Sequence, residues 1–349
     1  MEIIDQKIAD LAPARQFPVR GPAPEILANG LVVRSPNWLG DAVMTLPALQ
    51  ALKGLLPDNA PLAVIAPGSV ADLYRLLPAV THIITLNEIH RSWSENVYKV
   101  LHAFGFKVGV LFNNSLRDTL ALRRAGVGTL YGRAARCRGI FLKRSFRFPK
   151  WRAGRLNCSH HANEYLAMAR ALGAAAEKLT MPRLVCPRSM DQLPLEVQGL
   201  CQHPKLLVMA PGAAYGAAKR WPSEGFRTVA RWHLEHCGIV VIVGGGGEKA
   251  IGDEVAADLP GNRVFNLCGR TDLAALYHLL NSAQACVAND SGIMHLAAAT
   301  GIPGVAIFGP TDYCATGPVS DHWELIFDKE SCAPRSEEHT SELQSRLHL

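Results

Sequence analysis

The chain has 349 residues, 48% of them hydrophobic and 19% charged, with a formal net charge of +6. That length holds two domains of ordinary size, and that composition fits a soluble globular protein with a sizeable core. Its most apolar segments, Gly238–Gly247 and Leu296–Phe308, are short or broken by Gly and Pro, well under the roughly 18–20 residues that span a bilayer; Met1–Arg20 holds Glu2, Asp5, Lys7 and Asp10, which does not fit a secretory signal.

In chain order, residues 1–30 read as a poorly packed extension with Pro13, Pro18, Pro22 and Pro24 close together. Strands are expected at Leu31–Arg34, Leu62–Ala66, His82–Leu86, Val108–Leu111 and Thr129–Tyr131. Helices are expected between them at Asp41–Leu56, Ser69–Leu77, Trp93–Phe104 and Leu116–Ala125, with Pro47 delaying or kinking the first. This alternation is that of a parallel sheet with helices on both faces. Another helix is expected at Asn163–Leu172. Pro182, Pro187, Pro194 and Pro204 bracket an inter-domain linker.

The alternation resumes with strands at Lys205–Met209, Gly238–Val243, Val264–Asn266, Ala285–Ala288 and Gly304–Phe308. Ser223 is expected to cap a helix reaching His236, and Thr271 to cap Asp272–Asn281. The fold class is therefore α/β, with two Rossmann-like domains at 31–190 and 200–334. Parallel sheets facing a central cleft place ligands at the carboxyl ends of their strands.

Between Arg117 and Arg155 stand twelve Lys or Arg and one acid, Asp118. Such a run is a solvated face, or it meets an anionic partner: a phosphorylated lipid, a membrane surface or nucleic acid. The nine cysteines form no CxxC pair and no Cys/His cluster at zinc spacing, so they read as reduced thiols.

Four motifs fall at carboxyl ends of expected strands. In Asn289-Asp290-Ser291-Gly292 a polar strand-to-helix corner offers backbone N–H groups to a phosphate, unless it only caps the helix. Pro211–Pro222 is a loop of small residues that delivers Lys219 and Arg220, cations suited to a diphosphate. Gly244-Gly245-Gly246-Gly247-Glu248 matches neither GxGxxG nor GxxxxGK[ST]; its glutamate suits ribose hydroxyls or, equally, a helix dipole. Arg34–Asp41 ends in a carboxylate that is either an N-cap or a general base, with Trp38 lining a pocket or the core.

The segments SPNWLGDAVMTLPALQALK, PGAAYGAAKRWP and NDSGIMHLAAATGIPGVAIFGPTD together resemble the ADP-heptose:lipopolysaccharide heptosyltransferases, over about Leu31 to Pro334. The resemblance implies a GT-B fold. It implies inverting, metal-independent transfer of L-glycero-D-manno-heptose from ADP-heptose to the inner-core heptose of lipopolysaccharide. No cofactor beyond the ADP-sugar donor and no nucleic acid partner is implied. The implied partner is an anionic acceptor at the cytoplasmic face of the inner membrane, met by a cytoplasmic, peripheral protein.

Carried over by resemblance, Asp41 is the base and Lys219 acts at the diphosphate and sugar. Glu248 contacts ribose, and Asp290, Ser291, Gly292 and His295 bind the donor. The acceptor side takes Asn37, Trp38, Arg117 and Arg144. The loop Ala213–Ala218 departs from relatives that carry hydroxyl residues there. Residues 335–349 break from the family pattern and look like a translated sequencing adapter, a non-native tail in place of helices that relatives carry.

Overall fold

A computed structural model describes residues 2–4, 15–87, 92–148, 159–213 and 219–327. The tail from 335, the loop residues 214–218 and the basic residues Lys150, Arg152 and Arg155 lie outside the described residues. The chain forms two compact units: Ala12–Lys150 with Ser159–Val185, and Cys186–Leu349 with Met1–Leu11 and Trp151–Cys158. The first strand, β1 (Glu2–Ile4), belongs to the sheet of the latter.

In the unit built on Ala12–Lys150 the strands are β2 (Leu31–Arg34), β3 (Leu62–Pro67), β4 (His82–Leu86), β5 (Val108–Leu111), β6 (Thr129–Arg133) and β7 (Arg144–Phe146). They pair in the order 4-3-2-5-6-7, every pair parallel. β2, β3 and β5 are buried along their whole length, as inner strands covered on both faces must be. The order reverses at β2, so the carboxyl ends of β2 and β5 form the topological switch point, where open α/β sheets bind ligands.

Pro47 divides the expected long first helix. Leu39–Met44 ends at Thr45 and a second helix, Leu46–Lys53, begins with the proline in its first turn, where no N–H is needed. Within the segment before β2 most residues from 15 on are exposed, Val19 at 68%, and contacts of Phe17 and Arg20 tie it to the unit. Phe17 meets Phe146 edge-on at 5.0 Å, and the Arg20 N–H donates to Ala171 O at 2.9 Å.

In the other unit the strands are β8 (Leu206–Ala210), β9 (Ile239–Ile242), β10 (Val264–Asn266), β11 (Ala285–Asn289), β12 (Gly304–Phe308) and β13 (Trp323–Phe327). Their order is 1-13-12-11-8-9-10; all pairs are parallel except β1 with β13. Here the switch point lies at the carboxyl ends of β8 and β11. The expected linker contains a helix, Leu195–Cys201. The cap of helix Leu273–Ser282 is Asp272, not Thr271: its carboxylate accepts the Ala275 N–H at 2.8 Å. No helix of the described residues is long and apolar enough to cross a membrane.

Candidate active site

β11 runs directly into the corner Asp290-Ser291-Gly292. Ser291 is the N-cap of helix Gly292–Thr300, its hydroxyl accepting from Met294 N–H at 3.4 Å. Asp290 has a separate task. Its Oδ2 lies 3.1 Å from Lys219 Nζ and accepts the Thr311 hydroxyl at 2.7 Å. Lys219 and Asp290 side chains are only 8% and 6% exposed, so the pair is an almost fully desolvated ion pair held by a third polar group. His295 is buried in the first turn of the same helix.

The loop carrying Lys219 is anchored by Asn289, which is fully buried. Asn289 Nδ2 donates to Pro211 O at 2.7 Å and its Oδ1 accepts the Trp221 N–H at 3.1 Å, fastening the loop at both ends to β11. Sequence reading placed Asn289 only in the turn. A buried amide needs partners for both of its ends, but nothing local says where they lie.

Glu248 follows β9, the strand beside β8. Its Oε2 accepts the Gly245 N–H at 2.7 Å. The carboxylate lies against bare backbone: a Cβ built on Gly212 sits 2.0 Å from Glu248 Oε1, and one on Gly244 sits 2.8 Å from Oε2. These two glycines are therefore a steric requirement of the carboxylate's position, which neither phosphate-loop pattern describes.

At the switch point of the other sheet, Asp41 stands in the first turn of Leu39–Met44. The N-cap is Trp38, with no side-chain cap bond, so Asp41 does not serve as one. Its Oδ1 lies 3.9 Å from Nδ1 of His161, at the start of helix His161–Ala171. Burial opposes a charge on His161, and Arg133 adds to that, but the Asp41 carboxylate and then Glu164 outweigh both and raise its pKa above the ordinary histidine value. Glu164 is tied by Ser159 Oγ at 2.9 Å and by Arg133 at 3.1 Å.

Beneath this lies a buried polar network. Arg34 Nε meets Asp118 Oδ2 at 2.8 Å, with both side chains about 1% exposed, and Arg34 Nη2 donates to Asn37 Oδ1 at 2.8 Å. Asn113 Nδ2 donates to the same Asp118 oxygen at 2.6 Å, and Arg117 Nε lies 3.6 Å from Asp118 Oδ1. Burial lowers the Arg34 pKa while Asp118 opposes that. Asn37 is thus fixed by the network; Trp38 beside it is 53% exposed. Arg144, expected on the acceptor side, has its guanidinium engaged elsewhere, donating to Ala171 O at 3.2 Å and lying over the Phe146 and Phe17 rings at 5.0 and 5.9 Å. The described residues hold no group of three or more His, Cys, Asp or Glu able to bind a metal.

Residues 96–345 match glycosyltransferase family 9 (heptosyltransferase). The chain belongs to this family and is a glycosyltransferase. It is 27% identical over 311 residues to lipooligosaccharide heptosyltransferase 2 of Haemophilus influenzae, covering 85% of this chain and 88% of that protein. It is likewise 27% identical to lipopolysaccharide heptosyltransferase 2 of Escherichia coli K12, covering 85% and 87%. Among solved structures, ADP-heptose lps heptosyltransferase II of E. coli superimposes with a TM-score of 0.69 at 24% identity, over 91% of this chain and 98% of that one. A family 9 glycosyl transferase from Veillonella parvula gives 0.72 at 20% identity, over 90% and 88%. The α/β two-domain fold is thus that of this family.

Proposed function

We propose that this family 9 glycosyltransferase moves L-glycero-D-manno-heptose from ADP-heptose to the inner-core heptose of lipopolysaccharide, with inversion. The observation that carries the reading is the desolvated Lys219–Asp290 pair at the switch point of β8 and β11, beside a capped helix start. Backbone N–H groups and a buried ammonium suit a diphosphate leaving group. In the proposed step Asp41 takes the proton of an acceptor hydroxyl, whose oxygen bonds to the anomeric carbon as the bond from that carbon to the ADP oxygen breaks. One displacement inverts the centre. Lys219 and the N–H groups at Ser291 and Gly292 stabilise the charge that grows on ADP.

Glu248 takes the ribose hydroxyls, and Asp290 with His295 orients the sugar. On the acceptor side the proposal keeps Asn37, Trp38 and Arg117 and gives Arg144 a packing role. The acceptor is an anionic glycolipid, so the protein works peripherally at the cytoplasmic face of the inner membrane. The test is a panel of ADP-heptose, other ADP-sugars, UDP-sugars and GDP-sugars against lipopolysaccharide truncated at the inner core. Turnover with ADP-heptose alone is expected. Turnover with a UDP- or GDP-sugar instead makes it a different glycosyltransferase, and ADP binding without turnover on any acceptor makes it a nucleotide-sugar-binding protein.

A further inference from the structure

The basic stretch holds a feature that the acceptor residues leave unused. After β6 the chain passes through two consecutive non-glycine residues in the left-handed region, Arg136 (φ 47°) and Cys137 (φ 58°), and enters a short 3-10 turn, Arg138–Phe141. Arg138 turns inward and is fully buried. Its Nε donates to Arg133 O at 3.0 Å and its Nη1 to Ser115 O at 3.4 Å. Burial, with Arg133 beside it, lowers its pKa to about 10, although Asp118 works the other way.

That inward arginine fastens the turn while the tip faces water. Ile140 is 82% exposed, Arg136 and Lys143 are exposed around it, and Leu142 returns to the core. The turn packs on helix Leu116–Arg124, whose surface exposes Leu120, at 43%, and Arg123. From 119 to 148 the sequence has no Asp or Glu. Glu95 lies 3.8 Å from Arg124 at the end of that helix and Glu164 pairs with Arg133, but an aliphatic tip flanked by Arg136, Lys143 and Arg123 complements one kind of surface, apolar at depth and negative at its face. A nucleic acid or a free anion offers the charge but nothing to receive Ile140.

We propose that the turn Arg136–Lys143, with Leu120 and Arg123 of the adjoining helix, docks on an anionic phospholipid bilayer. Ile140 enters the headgroup layer, and Arg136, Lys143 and Arg123 meet the lipid phosphates. The inference rests on the lipid-borne acceptor proposed above only for its purpose, not for its chemistry.

The test is co-sedimentation of the full chain with vesicles of phosphatidylcholine, with and without phosphatidylglycerol, at low and high salt. Binding only to the phosphatidylglycerol vesicles, released by salt, is expected. Ile140→Asp is expected to weaken it about tenfold or more. Arg136→Gln with Lys143→Gln is expected to weaken it about twenty-five-fold, roughly fivefold per cation. Both variants should turn over a water-soluble, lipid-free core oligosaccharide as the parent does. Absence of binding by the parent, equal binding by both variants, or parallel loss of turnover on the soluble acceptor each overturns the docking surface; the last assigns the turn to the saccharide. Vesicle binding by a parent without heptosyl transfer leaves docking standing and removes the proposed activity instead.

Discussion

Lys219 Nζ and Asp290 Oδ2 meet at 3.1 Å in an almost dry site, drawn from residues 71 positions apart. Removing one member of such a pair strands the other's charge away from water. Lys219→Met and Asp290→Asn are each expected to cost about 3 kcal/mol of stability, the lower end for broken buried pairs. The double variant should lose less than the sum by about 1 kcal/mol or more, because the stranded charge is gone. Urea unfolding of the four proteins closes the cycle, and strict additivity would show that the contact carries no coupling. Lys219→Met should also weaken ADP binding and turnover together, read by calorimetry and by transfer assay.

The Asp41–His161 contact makes a prediction about pH. His161 is held above its ordinary pKa by Asp41 and Glu164 despite burial. A raised folded-state pKa means that the contribution to stability is fully present below the unfolded value, about 6.5, and is lost as pH rises through the folded value. Asp41→Asn should therefore lower the His161 pKa, followed through its ring proton by NMR, and flatten the pH dependence of stability in that window. The same variant should lose transfer while retaining ADP affinity. An unmoved His161 titration in Asp41→Asn would mean that the 3.9 Å contact is electrostatically idle.

Strand periodicity placed the inner strands other than β13 within a residue or two, because apolar runs such as Leu62–Ala66 and Ala285–Ala288 are bounded by turn residues and largely buried. Three strands escaped: β7, three residues in a basic stretch, and β1 with β13, which pair antiparallel with each other, where nothing in local hydropathy marks pairing; the edge strands β4 and β10 stand where they were expected. At the candidate site, the motifs pointed to Lys219, Asp290, Ser291 and Glu248 because they stand in small-residue loops and at strand ends. Their partners were illegible. Thr311 and Asn289 act through contacts 21 to 78 residues away, and His161 meets Asp41 across 120 positions of chain. Spacing rules reach a few residues; tertiary pairing of single polar groups leaves no periodic trace.

Gly212 offers a test of the ribose assignment that leaves the acid itself in place. A Cβ there would stand 2.0 Å from Glu248 Oε1, so Gly212→Ala must displace the carboxylate. Loss of hydrogen bonds to a charged group is worth about 1.5–3 kcal/mol, so ADP affinity is expected to fall about tenfold to a hundredfold. Glu248→Gln should weaken it less, since it keeps the side chain's place and an accepting oxygen. Calorimetric titration of ADP into both variants orders them; equal affinity in Gly212→Ala and the parent would detach Glu248 from the nucleotide.

The Arg34–Asp118 pair predicts a structural cost that precedes chemistry. Both side chains are about 1% exposed, and Asp118 Oδ2 also takes the Asn113 amide, so Asp118→Ala leaves a buried guanidinium and an orphaned donor. The expected loss is about 3–5 kcal/mol, the range for breaking a buried ion pair by one partner. Replacing both ends, Arg34→Met with Asp118→Leu, should recover much of it, since packed apolar groups desolvate at little cost. Such a double variant would still lack the group that holds Asn37 at 2.8 Å from the arginine. Recovered stability by urea unfolding, with a raised acceptor KM and unchanged ADP affinity, would assign the network to positioning the Asn37–Asp41 segment rather than to folding alone.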